Sequence, residues 1–422
     1  MAADATRGGF AALDPCVHCG FCLQACPTYL ATGDEADGPR GRIELMRAIE
    51  ENRLDIRDPE AALHLDRCLG CRACEPVCPS GVGYGRGLET ARARLTQARG
   101  LATITRLALA LLTLPGLSRA VYAVARWLRA TGLPAWLAGT GRVRFGLGML
   151  AATRPARSGD HPGIVHHRDR APVAADRPPA ADPVALFRGC VMDGLFSHVH
   201  GATVRTLTVN GYAPWNVPGQ GCCGALHAHA GLDAEARALA RTNVAAFAAG
   251  TGPVVVNSAG CGAMLKEYGH LLPDDPAAKT FADRVRDVTE LLAERGPLPG
   301  APLDLRVVYD PPCHLQHAQR INDPPHRLFA AIPVLRLLPV EDGAQCCGGA
   351  GLFTALQPAM SRAVLAPKIE QVRRAAPQVV ATGNPGCIMQ LGAGLRAAGL
   401  SAELRHPVEL LDESYEAAGY YA

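Results

Sequence analysis

The stretch Cys16-Val-His-Cys19-Gly-Phe-Cys22-Leu-Gln-Ala-Cys26-Pro27 sets four cysteines in a tight run that closes on proline. Cys68-Leu-Gly-Cys71-Arg-Ala-Cys74-Glu-Pro-Val-Cys78-Pro79 repeats it. Iron in a 4Fe–4S cube takes one soft thiolate per iron, and three closely spaced thiols let a single turn wrap one corner of the cube. The fourth thiol, held ahead of proline, points away toward a neighbouring cube. The spacing therefore assigns Cys16, Cys19, Cys22 and Cys78 to one cluster, and Cys68, Cys71, Cys74 and Cys26 to a second. Zinc would need only two Cys-x-x-Cys hooks, which leaves the other cysteines and both prolines without a reason. Between the motifs, residues 41–52 carry Ile43, Met46 and Ile49 on one helical face, so residues 1–100 are expected to form a helical two-cluster domain.

Working outward, the other eight of the sixteen cysteines form two further groups: Cys190, Cys222, Cys223 and Cys261, then Cys313, Cys346, Cys347 and Cys387. They belong to an internal duplication. Val184-Ala-Leu-Phe187 leads to Cys190 as Arg306-Val-Val-Tyr309 leads to Cys313. Gly221-Cys-Cys-Gly224 matches Gln345-Cys-Cys-Gly348. Pro253–Asn257 leads to Cys261 as Gln378–Thr382 leads to Cys387, and Thr289-Glu-Leu-Leu292 is echoed by Val408-Glu-Leu-Leu411. With helical stretches at 233–249 and 359–375 between strand-like runs, both copies read as α/β units with parallel sheets. The fold expected is thus α+β multidomain: a helical ferredoxin-like domain at 1–100, amphipathic helices and a Pro-rich linker at 101–183, and Cys-Cys-Gly repeats at 184–300 and 301–422. Each quartet is a candidate for a further iron–sulfur or metal centre; the alternative is structural cysteine packed as a small hydrophobe. Gly219-Gln-Gly-Cys-Cys-Gly224 also fits G-x-G-x-x-G, but Val217-Pro218 precedes it and the cysteine pair accounts for its glycines. His314 and His317 beside Cys313 lack a third oriented partner, and are expected to face a helix or solvent.

Composition narrows the class. The 422 residues are nearly half apolar, which excludes wholesale disorder, and none of the three lysines sits in a phosphate-binding Gly-Lys-Ser/Thr. Met1–Pro15 has no apolar core of a secretion signal, so a cytoplasmic chain with reduced thiols is expected rather than a disulfide framework. The net charge of +3 is a sum of unlike parts, because residues 90–159 hold eleven arginines and no carboxylate. Within them, 107–117 is too short to span a bilayer and is interrupted by Pro115. On a helix over 119–130, Arg119, Arg126 and Arg129 fall opposite Val121, Val124 and Leu128, with Trp127 and Trp136 nearby. This helix would lie on the inner face of a membrane, close to a quinone, or pack on the chain's own domains or a partner. No nucleic-acid partner is expected, since the aromatic platform is missing.

Two tandem cysteine motifs followed by two Cys-Cys-Gly domains resemble the iron–sulfur subunits of bacterial flavin-linked dehydrogenases. The nearest resemblance is to those of glycolate oxidase, also called glycolate dehydrogenase. It rests on Cys16–Cys22, Cys26-Pro-Thr-Tyr29, Gly33-Asp-Glu35, Asp37-Gly-Pro-Arg-Gly-Arg-Ile43, His64–Cys68, Cys78–Val82, Ser258–Gly262, Lys266–Gly269 and Leu315–Gln319. It covers nearly the whole chain except 90–183. The resemblance implies an electron-transfer subunit with FAD on a partner dehydrogenase subunit and none on this chain. Electrons would pass through two 4Fe–4S clusters toward a membrane quinone or similar acceptor, and no residue here is a catalytic one. Lactate and glycerol-3-phosphate dehydrogenase subunits are alternatives, as is a heterodisulfide-reductase-like thiol reductase. Against the last, Ser258 and Asn384 stand where that family has the first cysteine of Cys-x-x-Cys. Arg40 and Arg42 would either raise a cluster's potential or lie exposed at a helix entry.

Overall fold

The computed structural model describes residues 9–155, 181–341 and 343–421. Pro162, Pro172, Pro178 and Pro179, on which the linker expectation rests, lie outside them.

The first hundred residues are helical. Gly38 and Pro39 start a helix over Pro39–Glu50, and Ile43, Met46 and Ile49 of its inner face are buried. Asp58 caps Pro59–Asp66 through its carboxylate, and Tyr84–Arg99 closes the domain with Leu88, Ala91 and Leu95 inward. These helices share one core with Phe10, Leu13 and several of the cysteines.

The body holds two sheets of identical plan. In the first, β1 (Asp182–Leu186), β2 (Tyr212–Asn216), β3 (Val254–Val256) and β4 (Val285–Asp287) lie in the order β2-β1-β3-β4. In the second, β5 (Arg306–Tyr309), β6 (Arg336–Leu337), β7 (Val379–Ala381) and β8 (Glu403–Arg405) lie in the order β6-β5-β7-β8. All pairings are parallel, with Ala185 opposite Val254 and Val307 opposite Val379. Central strands buried on both faces read as unbroken apolar runs, which is why Val254-Val-Val256 and Val379-Val-Ala381 lack alternation. The echoed tails are both helix starts with capping boxes, Asp287 with Glu290 and His406 with Glu409.

The repeats face each other with a pseudo-twofold arrangement. Helix Ser197–Val209 of the first packs on Pro407–Ala417 of the second, and Val288–Arg295 packs on Asp323–Ala330. One apolar core runs through both copies, and Arg205 Nε donates to Asp412 at 2.9 Å across the seam.

The arginine-rich segment forms helices Thr103–Thr113, Pro115–Ala130 and Arg142–Ala151. The first two meet at a bend of 88°, and among the described residues no single helix is long and apolar enough to cross a membrane. Two of the three arginines on the second reach the body, while Arg119 is exposed. Arg126 donates to the Gly194 carbonyl at 2.8 Å, and Arg129 to Leu195 and Thr153 carbonyls at 3.0 and 2.7 Å. These arginines meet the carbonyl end of the short helix Val191–Leu195, where positive charge is favoured. On helix Pro115–Ala130, Val124 and Trp127 are 63% and 70% exposed, Val121 and Leu128 are half-buried, and Tyr122 is buried.

Candidate functional site: two interleaved cysteine motifs and two thiol quartets

The two N-terminal loops wrap alike because each takes left-handed backbone at the same places. His18 and Gly20 have φ of 55° and 87°, while Gly70 and Arg72, at the matching offsets, have 63° and 60°. Such alternation turns successive N–H groups inward, toward anionic sulfur. Gly70 N–H accordingly points to the Cys68 thiol at 3.4 Å. Proline after the fourth cysteine begins a helix at Pro27 and redirects the chain.

The fold interleaves the motifs. Cys78 lines one small cavity together with Cys16, Cys19 and Cys22, and it acts electrostatically on Cys22 along with Cys16. Burial first and Glu75 next push the Cys74 thiol well up, with Cys68, Cys26 and Cys22 acting on it in the same direction. Cys74 also borders the first cavity, so the two groups adjoin. Cys71 lies on the far side, against the second repeat.

Of the two arginines noted in sequence, the structure separates the roles. Arg40 is partly exposed and held by Glu35 at 2.7 Å and by the His18 carbonyl at 3.0 Å. Arg42 is fully buried, with Nη1 4.0 Å from the Cys26 sulfur and 3.0 Å from the Thr28 hydroxyl, and Nε donating to His64 O at 2.7 Å. Asp37, also fully buried, balances it at 3.4 Å and takes a second cation from Arg67 at 3.1 Å. Burial opposes ionisation of Cys68, but Arg42 and Arg92 outweigh it and hold that thiol below its usual range. Tyr84 adds a hydroxyl contact to the same sulfur at 3.6 Å. Two loops presenting eight thiols in two groups, with N–H donors and buried cations around one of them, fit a pair of thiolate-ligated iron centres. Arg92 was not singled out in the sequence, where it was one of eleven arginines in an acid-free run.

In each repeat the quartet gathers beyond the carboxyl ends of the strands, at the point where strand order reverses, as ligand sites of open α/β sheets do. Cys190 follows β1, Cys222 and Cys223 follow β2, and Cys261 follows β3. Cys190 and Cys222 are 3.5 Å apart, and Cys223 contacts both Cys222 and Cys261. Thiol donation from Cys190 and Cys223 pulls Cys222 well down. The second quartet repeats this, with Cys313–Cys346 at 4.0 Å and Cys347–Cys387 at 3.3 Å. Glycine is required beside each pair: Gly224 and Gly348 have φ of 87° and 79°, and a Cβ on Gly348 would lie 2.6 Å from Ser361 O.

The quartets are not equivalent. Asp310 replaces Phe187, and Lys368 replaces Val244, at the corresponding offsets of the duplication. The first quartet is thus backed by apolar core, and the second by a buried Lys368–Asp310 ion pair that Thr382 also joins. Tyr122, from the arginine-rich helix, lies instead beside Cys190 and Cys222. Ser258 and Asn384 meet each other across the repeat interface at 3.5 Å. Asn384 Oδ1 accepts Gly260 N–H at 3.1 Å, and its Nδ2 donates to Cys387 at 3.4 Å.

His314 and His317 are both half-buried, and His314 packs against His229 at the end of the short helix Ala225–His229. His314 Nδ1 is 3.5 Å from Cys313, and its ring lies 5.8 Å from that of His229. His317 Nε2 bonds Ala344 O at 3.1 Å. The cause is the dicluster domain, which covers this end of the sheets. Leu69, Cys71 and Ala73 pack with Cys313, Cys346 and Phe353, and Arg72 and Arg86 bind Glu267 at 2.9 and 3.6 Å.

These features define an iron–sulfur component of an oxidoreductase. Residues 12–82 match a 4Fe-4S dicluster domain, and 184–266 and 307–392 each match a cysteine-rich domain. The chain is 35% identical to the "Probable glycolate oxidase iron-sulfur subunit" of Bacillus subtilis, covering 96% of this chain and 94% of that protein. It is 32% identical to the "Glycolate oxidase iron-sulfur subunit" of Escherichia coli over the same shares. "Lactate utilization protein A" of Geobacillus kaustophilus is 30% identical, covering 54% of this chain and 98% of that protein. The chain belongs to the family of glycolate oxidase iron–sulfur subunits.

Proposed function

We propose that the chain relays electrons for a flavin-dependent glycolate dehydrogenase, taking them from an FAD-containing partner subunit and passing them toward a membrane quinone. Bound 4Fe–4S clusters supply single-electron steps that split the two-electron chemistry of a flavin. Cys16, Cys19, Cys22 and Cys78 would hold one, and Cys68, Cys71, Cys74 and Cys26 the other. The thiol quartets Cys190, Cys222, Cys223, Cys261 and Cys313, Cys346, Cys347, Cys387 would hold one or two additional centres. The observation that carries this reading is the pairing of Cys78 with the first loop's thiols and of Cys26 with the second's.

The residues of this chain have separate tasks. Arg42 and Arg92 favour thiolate at Cys68. Leu69, Cys71 and Ala73 press the second loop onto Cys313 and Cys346, so the second repeat is the one placed to exchange electrons with the dicluster domain. Substrate oxidation is assigned to the partner. The exposed apolar side chains of the arginine-rich helices, with the exposed Arg106, Arg119, Arg142 and Arg144 among them, support peripheral contact with the inner face of the cytoplasmic membrane.

The test is reduction by substrate. The purified chain alone should show no glycolate-dependent reduction of its iron–sulfur EPR signals, and adding the flavoprotein subunit should produce it. Glycolate turnover by the chain alone would refute a relay. Iron analysis reads the quartets separately: about eight irons means the two N-terminal clusters only, and more means a further centre.

A further inference from the structure

Beside Cys68 lies a cleft of about 400 Å³ where four parts of the chain converge: helix Tyr84–Arg99, the first turn of Thr103–Thr113, the turn around His229, and residues 350–357 of the second repeat. Leu95, Leu226, Leu352, Phe353 and Leu356 give it apolar walls, and Cys68 is part of its lining. Its polar groups are Arg92, Thr96, Thr105, His229 and Gln357, together with Asp66 and Arg99, which pair with each other at 2.6 Å. Arg92 is anchored to the Cys68 carbonyl at 2.5 Å, and Thr96 to Ala230 O at 2.9 Å, so both are fixed in place. Pockets of this kind, mostly apolar with a small number of oriented polar groups, take flat apolar molecules with one or two polar atoms.

The mouth points to the same class of ligand. Leu356 both lines the cleft and is 51% exposed. Leu101 and Ala102, just ahead of helix Thr103–Thr113, and Thr105 within it line the wall, while Ile104 and Leu107 of that helix are 69% and 52% exposed. Further along the chain, Leu114 and Leu117 are exposed as well, at 53% and 42%. A water-soluble acceptor has no use for such an approach, whereas a ring carrying an alkyl tail does.

We propose that this cleft binds the headgroup of a lipid-soluble quinone and is the point where electrons leave the chain. The inference rests on reading Cys68 as a cluster ligand in an electron relay. The quinone ring gains two electrons, delivered one at a time from the centre Cys68 helps to hold, and two protons from solvent at the open mouth, giving the quinol. Those electrons are released by two-electron oxidation of the hydroxy acid on the flavoprotein partner, so the sum balances. His229 and Arg92 are the donors placed to orient a quinone carbonyl.

The full chain with its clusters assembled is reduced with dithionite and mixed with decylubiquinone, and recovery of the cluster absorbance is followed. Reoxidation should saturate with quinone concentration. Leu356→Trp, at the exposed mouth, and Leu226→Trp, deeper in, should each slow it about tenfold or more by filling the ring's place, with cluster EPR spectra intact. An azido-substituted decylquinone should label peptides covering 95–105, 226–230 or 350–357 in the same protein. Reoxidation by ferricyanide but not by decylubiquinone would overturn the quinone-acceptor reading itself. Saturable reoxidation that both tryptophan variants leave unchanged, or labelling confined to other peptides, would overturn this cleft as the site and leave the relay standing.

Discussion

Arg42 stands wholly buried with its guanidinium 4.0 Å from the sulfur of Cys26. A cation so placed favours the reduced, more negative state of any centre that Cys26 and Cys68 hold. One unit charge at 5–6 Å and an effective dielectric near 20 is worth about 3 kcal/mol, which Asp37 partly offsets. Arg42→Gln should therefore lower the potential of that cluster alone by about 50 mV or more. Glutamine retains a donor for the His64 carbonyl, and Arg67 and His64 still cover Asp37. An EPR-monitored redox titration reads the shift; equal potentials in variant and wild type would remove Arg42 from the tuning.

His406 caps the last helix through Nδ1, which accepts Val408 N–H at 3.2 Å, and burial pushes its pKa down to about 3. The folded state keeps it neutral while the unfolded chain takes up a proton near pH 6.5, so its contribution is whole above pH 6.5 and declines as pH falls toward 3. Between pH 8 and pH 5 the loss is about 2 kcal/mol from this residue. Glu409 in the same capping box, pushed up to about 7 by burial, works the other way. His406→Asn keeps a capping acceptor without the titration. Its thermal midpoint should fall less than that of wild type between those two pH values.

Asn384 joins the repeats by accepting Gly260 N–H and donating to Cys387. Asn384→Ala leaves the Gly260 N–H without its acceptor, and should destabilise the body by about 1–2 kcal/mol. A shift in the urea midpoint with an unchanged slope is the expected signature. Asn384→Asp, which keeps the acceptor, should recover most of the loss at neutral pH.

Trp127 and Trp136, 70% and 78% exposed, lie within the arginine-rich segment, Trp127 on helix Pro115–Ala130 and Trp136 on the short helix Leu133–Leu137. Replacing both with serine should weaken cosedimentation with vesicles rich in phosphatidylglycerol about tenfold or more, since each indole buries large apolar area at an interface. Binding of wild type that is equal on neutral and anionic vesicles would argue against the arginines' part in it.

Much of this was legible before the structure. The cysteine spacing named the clusters' chemistry, and the echo of Val184–Phe187 in Arg306–Tyr309 foretold two sheets that turn out to share one strand order. Residues 41–52 were expected as a helix and lie at Pro39–Glu50. Edge strands were harder: β6 is two exposed residues, Arg336 and Leu337, with no pattern to read. The helix over Pro115–Ala130 was correctly amphipathic, yet its outward face could not be inferred, because periodicity finds two faces and says nothing of which one meets the body. Here carbonyls of Gly194 and Leu195 hold Arg126 and Arg129, while Arg119 stays exposed. The buried Lys368–Asp310 pair was likewise invisible, since neither residue's neighbour in space is its neighbour in sequence.

The crossing of the two motifs is tested most directly by EPR on the dithionite-reduced chain with single Cys→Ser changes at 16, 26, 68 and 78. Cys26→Ser and Cys68→Ser should lose the same signal and keep the other, while Cys16→Ser and Cys78→Ser lose the one those two keep. Loss of the same signal in Cys26→Ser and Cys16→Ser would contradict the account.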